Sequence, residues 1–200
     1  MKTLDMLGKP CPIPVVNAKK ALAEQGADGV AVIVDNFVAV QNLEKMAKGS
    51  SLGFSYVEDG ESRYRVTIVK DPNQVLDTRE EALNLGSGAK GPLVLVASDS
   101  MGRGSDELGR LLIKGFIFSL TQLSLPPEAV IFLNSGAYLT TEGANTVSDL
   151  KTLEDRGVGI YTCGTCANYY KLAESLAVGS ITDMMNIVNK LAGASTVITV

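Results

Sequence analysis

The feature that most constrains this fold is a segment of linker composition between two stretches of alternating strand and helix patterns. Residues 71–90 begin with Asp-Pro-Asn, continue through a charged stretch and end in Gly-Ser-Gly-Ala-Lys. Such composition is typical of a connection rather than of a packed core. The sequence therefore predicts two domains, residues 1–70 and 91–200, joined by a linker over residues 71–90. A chain of 200 residues is long enough for two small domains with separate cores.

The first stretch shows the order β-α-β-α-β-β. An apolar run over residues 30–35 predicts a buried strand, and Ala39, Leu43 and Met46 then recur at helical spacing. An Asp-Gly pair between the strand-like runs 54–58 and 63–70 indicates a hairpin. Two helices are enough to cover one face of four strands, so we expect an α/β fold of two layers, a β-α-β-α-β-β sandwich.

The second stretch alternates strands with helices, which predicts a mostly parallel three-layer α/β domain with helices on both faces of the sheet. One long helix has Ser105 as its N-cap, and another is expected over residues 168–176. The long helix is apolar on more than one side, which indicates a subunit interface and a homo-oligomer formed through residues 91–200. Ile113 and Ile117 lie off its predicted core stripe. That stripe consists of Leu108, Leu111, Leu112, Phe116, Leu120 and Leu123.

The composition excludes several kinds of function. The chain has no histidine, which removes Ser-His-Asp triads, Cys-His dyads and His-ligated metal sites. It has 18 Lys and Arg against 22 Asp and Glu, a net charge of −4, so we expect no sequence-independent binding to nucleic acid.

The most apolar stretch, residues 108–125, contains Arg110, Lys114 and Gln122, so we expect no membrane span. Asp5 and Lys9 interrupt any apolar signal segment near the start of the sequence. Three cysteines form no disulfide framework, so we expect a cytoplasmic protein with reduced thiols.

The first cysteine lies in a predicted rigid turn between a strand and a helix. Cys11 is flanked by Pro10 and Pro12, and Pro14 is predicted to be the first helical residue. The positive end of the helix and the nearby Lys9 favour a thiolate over a thiol. A stiff, accessible thiolate suits attack on a sulfane sulfur or a disulfide. The alternative is a small buried side chain that packs as an apolar residue.

The other two cysteines, Cys163 and Cys166, form a Cys-x-x-Cys motif between a strand and a helix. The pair could be a redox dithiol, half of a zinc site, a carrier thiol with a resolving partner, or two packing residues. Zinc is disfavoured within one chain, because only Cys11 remains as a ligand, although a four-cysteine site shared across a dimer stays open. Thioredoxin-like proteins resemble one another in carrying a proline in a later strand, and here no proline follows Pro127.

Residues 1–70, with Cys11-Pro12-Ile13-Pro14 at the strand–helix junction, resemble the TusA/SirA family of small sulfur carriers. Residues 91–200 resemble the DsrE-like fold of sulfur-relay proteins, which usually form oligomers. The two domains in this order, with the dithiol followed by Tyr169 and Tyr170, resemble the YedF-type family that is labelled as selenium metabolism proteins. The resemblance implies that Cys11 carries a persulfide and that Cys163 and Cys166 are secondary candidates. The supporting residues are Asp5, Gly8, Lys9, Pro12 and Pro14.

These observations predict a sulfurtransferase-like carrier that needs no metal and no cofactor. It would take sulfur, or selenium, from a donor protein's persulfide onto Cys11 and pass it to an acceptor protein or to Cys163, with Cys166 resolving the product. One alternative is a non-catalytic regulatory or binding module that oligomerises through its C-terminal domain. A second alternative is a dithiol redox protein that uses Cys163 and Cys166.

Overall fold

The computed structural model describes residues 1–10, 12–24, 26–60, 62–70 and 91–200. Two compact units make up the chain, Met1–Glu81 and Ala82–Val200. The predicted linker over residues 71–90 lies outside the described residues, so the predicted domain boundaries stay predictions. The fold is mixed α/β, with a four-stranded sheet in the first unit and a five-stranded parallel sheet in the second.

The first unit follows the predicted element order. Its sheet has the strand order β1-β2-β4-β3, in which β1 and β2 run parallel and the other neighbours run antiparallel. Because β1 and β2 are parallel, the loops that follow them leave the same edge of the sheet. The elements are β1 (Lys2–Asp5), α1 (Ile13–Ala23), β2 (Gly29–Val34), α2 (Phe37–Gly49), β3 (Gly53–Glu58) and β4 (Tyr64–Val69).

The core of this unit lies between the sheet and its two helices. Val30, Val32 and Val34 of β2 pack beside Val66 and Ile68 of β4, and all five are fully buried. Each such side chain contributes about 1.5–3 kcal/mol by leaving water. The helix residues in the same cluster are Ala18, Ala21, Leu22, Ala39, Val40, Leu43, Met46 and Ala47.

The second unit has the strand order β8-β7-β6-β5-β9, and every described strand pair in it is parallel. Val94 packs in a cluster with residues of α3 and α4, whereas Leu93 packs in another with Ile187 of α6. The elements are β5 (Leu93–Val96), α3 (Asp106–Leu120), β6 (Ala129–Phe132), a 3-10 helix (Asn134–Thr140), α4 (Val147–Asp155), β7 (Gly159–Cys163), α5 (Gly164–Tyr169), a second 3-10 helix (Ala173–Ser175), β8 (Ser180–Thr182), α6 (Met184–Gly193) and β9 (Val197–Thr199).

Helix α3 packs through a different face from the predicted one. Its buried residues are Gly109, Ile113, Ile117 and Leu120. Phe116 is half-buried and packs against the core, so the predicted stripe is confirmed at Phe116 and Leu120 and wrong at its four other leucines. A Cβ on Gly109 would lie 1.9 Å from Ser100 Oγ, so the preceding loop approaches the helix on this side at a distance that only glycine allows. The exposed leucines are Leu108 (54%), Leu111 (62%), Leu112 (47%) and, beyond the helix, Leu123 (41%).

The segment after β7 also differs from the prediction. The predicted helix over residues 168–176 is wrong, because α5 spans Gly164–Tyr169 and ends before it. Lys171 has a φ of 57°, and a residue in this left-handed region terminates a helix. The short strand β8 was not predicted from the sequence. Among the described helices, none combines the length and the apolar character that crossing a membrane requires.

Candidate functional site

Carboxylates at the ends of both parallel strands hold the loop that follows β1. Asp5 Oδ1 accepts the N–H of Leu7 at 3.1 Å, and Asp35 Oδ2, just after β2, accepts the N–H of Gly8 at 2.5 Å. Gly8 has a φ of 67°, which glycine adopts without steric cost. Asp5 and Gly8 therefore shape this loop, and Asp35, which the sequence analysis did not single out, anchors it.

Asp35 also connects this loop to the start of α2. The Gly8 amide, followed by the side chain of Asn36, holds the pKa of the Asp35 carboxyl below its ordinary value of 3.8. Asn36 donates from Nδ2 to Asp35 Oδ1 at 2.9 Å, and its own Oδ1 accepts the N–H of Ala39 at 2.8 Å as the N-cap of α2. Asp35 is therefore ionised at neutral pH and accepts both bonds with its full charge.

Helix α1 begins without an acidic residue in its first turn. Pro12 is its N-cap and supplies no side-chain acceptor, while Pro14, which was predicted to be the first helical residue, is the second and is buried. The carbonyl of Pro10 accepts the N–H of Ile13 at 3.0 Å, which closes a turn immediately before the helix. The positive end of the helix dipole thus lacks a carboxylate of its own, which favours an anion nearby.

Cys11 itself lies outside the described residues, so its place in this junction stays a prediction from the sequence. The neighbouring Lys9 is exposed, and its N–H donates to the carbonyl of Met6 at 3.2 Å. Among the predicted residues of this junction, the described ones are therefore Asp5, Gly8, Lys9, Pro12 and Pro14.

The Cys-x-x-Cys motif lies at the carboxyl end of β7 in the second unit. Cys163 is the last residue of the strand, is 1% exposed and packs in an apolar cluster with Ile131 and Ile187. Cys166 lies in α5 and is half-buried. Both thiols are free, and Cys166 packs against the apolar cluster that contains Cys163. Solvent therefore reaches Cys166 more readily than Cys163.

The sulfur of Cys166 accepts a hydrogen bond from the loop that follows the neighbouring strand β6. The N–H of Asn134 donates to Cys166 Sγ at 3.0 Å. Burial raises the pKa of the Cys166 thiol, the Asn134 amide partly offsets this, and the adjacent Cys163 raises the pKa further. Asn134 has a φ of 48°, a left-handed conformation that asparagine tolerates better than most residues.

Three tyrosines surround this contact. The hydroxyl of Tyr170 donates to Asn134 Oδ1 at 2.7 Å, and its ring centre lies 5.0 Å from those of both Tyr138 and Tyr169. Residues 134–137 follow the parallel strand β6, at the edge where open sheets usually place sites, but the sequence did not identify them. It missed the contact of Asn134 with Cys166, because no local pattern joins residues 32 positions apart.

The loop after β5 completes this edge of the sheet. The N–H of Asp99 donates to Ser135 Oγ at 3.2 Å, and Arg110 Nε lies 3.9 Å from Asp99 Oδ2. Three adjoining parallel strands thus bring Asp99, Asn134 and Cys166 to their carboxyl edge. Within the described part of the chain, no group of three or more cysteine and acidic residues is placed to hold a metal ion.

Comparison with known proteins gives one matching sequence family and several similar proteins. Residues 2–70 match the sequence family described as sulfurtransferase TusA. A candidate sulfur carrier protein of Methanocaldococcus jannaschii is 37% identical over 71 residues, which are 35% of this chain and 95% of that protein.

Two solved structures are also similar. A SirA-like protein from Desulfitobacterium hafniense is 52% identical, with 34% of this chain and 96% of the other covered and a TM-score of 0.33. A protein of unknown function from Methanobacterium thermoautotrophicum is 15% identical, with 56% of this chain and 100% of the other covered and a TM-score of 0.45.

Proposed function

The chain belongs to the TusA sulfurtransferase family through residues 2–70, and we propose that it carries sulfur as a persulfide on Cys11. Family membership and the similarity to a sulfur carrier support a sulfur-relay function. The observation that carries the proposal is that the family match includes the whole junction from Asp5 to Pro14. We propose sulfur rather than selenium, because the family description and the archaeal relative's name both refer to sulfur.

The loading reaction is a sulfur transfer between thiols. The Cys11 thiolate attacks the outer sulfur of a persulfide on a donor protein. A new S–S bond forms at Cys11 while the donor's S–S bond breaks, and the donor leaves as a thiolate. An acceptor protein later attacks the outer sulfur on Cys11 in the same way. Neither step changes the overall oxidation state, so no metal, cofactor or external reductant takes part.

Two features of the described residues support a reactive thiolate at this junction. The first turn of α1 holds no acidic residue, so its amides and dipole favour an anion at the helix start. The loop before the helix is fixed by the carboxylates of Asp5 and Asp35, which reduces the entropy lost when a donor docks. In this proposal the protein works in the cytosol, where thiols stay reduced.

We extend the relay to the second unit, in which the Cys163 and Cys166 pair would receive sulfur from Cys11. The support is chemical, because the pair lies at the carboxyl edge of a parallel sheet and both cysteines pack in the same apolar cluster. A dithiol redox protein is the rival at this site, and such a pair would have a reduction potential near −270 mV, about that of thioredoxin.

A binding module that oligomerises through residues 91–200 is the alternative for the whole chain. It is favoured by the exposed apolar side of α3, which carries Leu108, Leu111 and Leu112. Self-association through this side fits both functions, so only the role of the thiols separates them. The module predicts that alkylating every cysteine leaves partner binding intact, whereas the carrier predicts that alkylation abolishes sulfur uptake.

Sulfur uptake from a persulfide-loaded donor protein tests the proposal. The Cys11→Ser variant should fail to gain the mass of one sulfur atom on its first-unit peptide, because serine cannot form a persulfide. The matched control is the Cys163→Ser, Cys166→Ser double variant, which should load Cys11 at the wild-type rate. Total uptake that stays at the wild-type rate and level in Cys11→Ser would discard the role of Cys11.

A further inference from the structure

We propose that Cys166 is the sulfur-accepting thiol of the second unit, and that Cys163 beneath it is a resolving thiol that expels the bound sulfur as hydrosulfide. The inference rests on the proposed sulfur relay and states what happens to sulfur once it reaches this unit. It reverses the order suggested by the sequence, in which Cys163 accepts sulfur and Cys166 resolves the product.

Exposure separates the two thiols. Cys163 is 1% exposed within an apolar cluster, so a donor persulfide cannot approach its sulfur from solvent without opening that core. Cys166 is half-buried at the sheet edge, beside Asn134, whose side chain accepts a hydrogen bond from the Tyr170 hydroxyl. Attack on a bulky donor therefore falls to Cys166, while Cys163, which packs in the same apolar cluster, is placed to attack a sulfur bound on Cys166.

Sulfur first moves to Cys166 without a change in overall oxidation state. The Cys166 thiolate attacks the outer sulfur of the donor persulfide, and a Cys166 Sγ–S bond forms as the donor's S–S bond breaks. The donor leaves with the electron pair as a thiolate and takes up the proton that Cys166 released to solvent. The N–H of Asn134, which already points to Sγ at 3.0 Å, stabilises the negative charge on the attacking sulfur.

The second step is a reduction of the bound sulfur. Cys163, as a thiolate, attacks Sγ of Cys166, so that a Cys163–Cys166 disulfide forms and the bond from Sγ to the outer sulfur breaks. The outer sulfur leaves as hydrosulfide with the bonding pair. The two cysteines together lose two electrons and the sulfane sulfur gains them. A dithiol reductant of the thioredoxin class then returns the disulfide to two thiols.

Asn134 takes part through its main chain, and the Tyr170 hydroxyl contacts its side chain. The left-handed conformation of Asn134 aims its N–H at Cys166, and the Tyr170 hydroxyl holds the Asn134 side chain at 2.7 Å. A residue that avoids this conformation would turn the amide away, since non-glycine residues pay a steric cost there. Without the amide, burial and the neighbouring Cys163 would be the main influences on the pKa of the Cys166 thiol, and both raise it.

A single-turnover experiment with the full chain tests the order of the two cysteines. All variants carry Cys11→Ser, so that the probe, one equivalent of glutathione persulfide, reacts only at the second unit. The Cys11→Ser chain should release about one hydrosulfide per chain as its disulfide forms, which follows from the stoichiometry of thiol–disulfide exchange. Adding Cys163→Ser should trap the sulfur on Cys166 with no hydrosulfide released, and adding Cys166→Ser should prevent uptake.

Two results would overturn the order. One is uptake on Cys163 in the Cys166→Ser chain at the rate of its parent, and the other is unchanged hydrosulfide release in the Cys163→Ser chain. Either result leaves the role of Cys11 intact, because that role is tested in the chain that lacks both Cys163 and Cys166.

The pH profile of Cys166 alkylation tests the Asn134 amide, in chains in which Cys166 is the remaining cysteine. Asn134→Val should slow alkylation near neutral pH by about threefold or more and shift the profile upward, because the amide favours the thiolate. Asn134→Gly keeps the left-handed conformation and should retain the parent profile. The role of the amide is wrong if both variants shift equally, or if neither does.

Discussion

In each unit, a backbone N–H in the loop after one strand donates to a side chain that follows the neighbouring strand. The two accepting side chains differ in chemistry. In the first unit the carboxylate of Asp35, after β2, takes the amide of Gly8 in the loop after β1. In the second unit the sulfur of Cys166, after β7, takes the amide of Asn134 in the loop after β6.

Because the two acceptors differ, we expect the two loops to respond differently when the cysteine of their unit reacts. A carboxylate is ionised at neutral pH and accepts the amide with full charge, whatever happens to a nearby thiol. A neutral thiol is a weak acceptor and becomes a strong one only as a thiolate. The first loop is therefore fixed independently of sulfur, whereas the second tightens when Cys166 gains negative charge.

The largest expected effect is a difference in thiol reactivity. In chains that retain one cysteine each, iodoacetamide at neutral pH should modify Cys11 about tenfold faster than Cys166 or more. Burial raises the pKa of Cys166, so its thiolate fraction near pH 7 lies below that of free cysteine and its rate should still rise above pH 9. Faster modification of Cys166 than of Cys11 would contradict this expectation.

The next effect in size is a loss of stability on removing the carboxylate in the first unit. Asp35→Ala should lower the free energy of unfolding of this unit by about 1 kcal/mol, the usual size of a lost cap. Urea unfolding, followed by circular dichroism, measures it. The control is Asp28→Ala, which replaces an exposed aspartate. Its free energy of unfolding should stay within about 0.5 kcal/mol of the parent value.

The same variant has a predictable pH dependence. The folded-state pKa of Asp35 is depressed, so its contribution is fully present above the ordinary value of 3.8 and is lost as pH falls through the lower folded value. The difference between Asp35→Ala and the parent should therefore shrink progressively as pH falls below 3.8. A difference that stays constant from neutral to acidic pH would show that the carboxylate charge does not hold the loop.

The smallest expected effect concerns the hydroxyl of Tyr170. Tyr170→Phe removes the donor to Asn134 Oδ1 and should lower the unfolding temperature of the second unit only slightly, because the bond is exposed to water. Thermal unfolding is the measurement, and Tyr169→Phe, whose ring is 79% exposed, is the control. Equal losses in the two variants would mean that ring packing, rather than the bond to Asn134, is what Tyr170 contributes.

Local signals predicted many of the elements. The Asp-Gly pair marks the β3–β4 hairpin, and the long helix starts where Ser105 suggests, with Ser105 Oγ accepting the N–H of Leu108 at 3.3 Å. These features follow from residues within a few positions of each other, since turn and cap preferences depend on short-range hydrogen bonds.

The periodicity of α3 could not predict which face of the helix is buried. Leucines 108, 111 and 112 and isoleucines 113 and 117 all lie at helical spacings, so an apolar pattern alone supports either stripe. The side that packs is set by the close approach of Ser100 to Gly109, a contact between elements. The bond from Gly8 to Asp35 likewise joins residues 27 positions apart, beyond the reach of any local pattern.

The central claim, that sulfur passes through Cys11, is tested most directly by a time course with a heavy sulfur isotope on a donor protein's persulfide. Peptide masses, taken after rapid quenching, show which cysteine gains the label first. We expect label on the Cys11 peptide before any appears on the peptide that contains Cys163 and Cys166. Label on the second peptide first, with Cys11 unlabelled throughout, would contradict it.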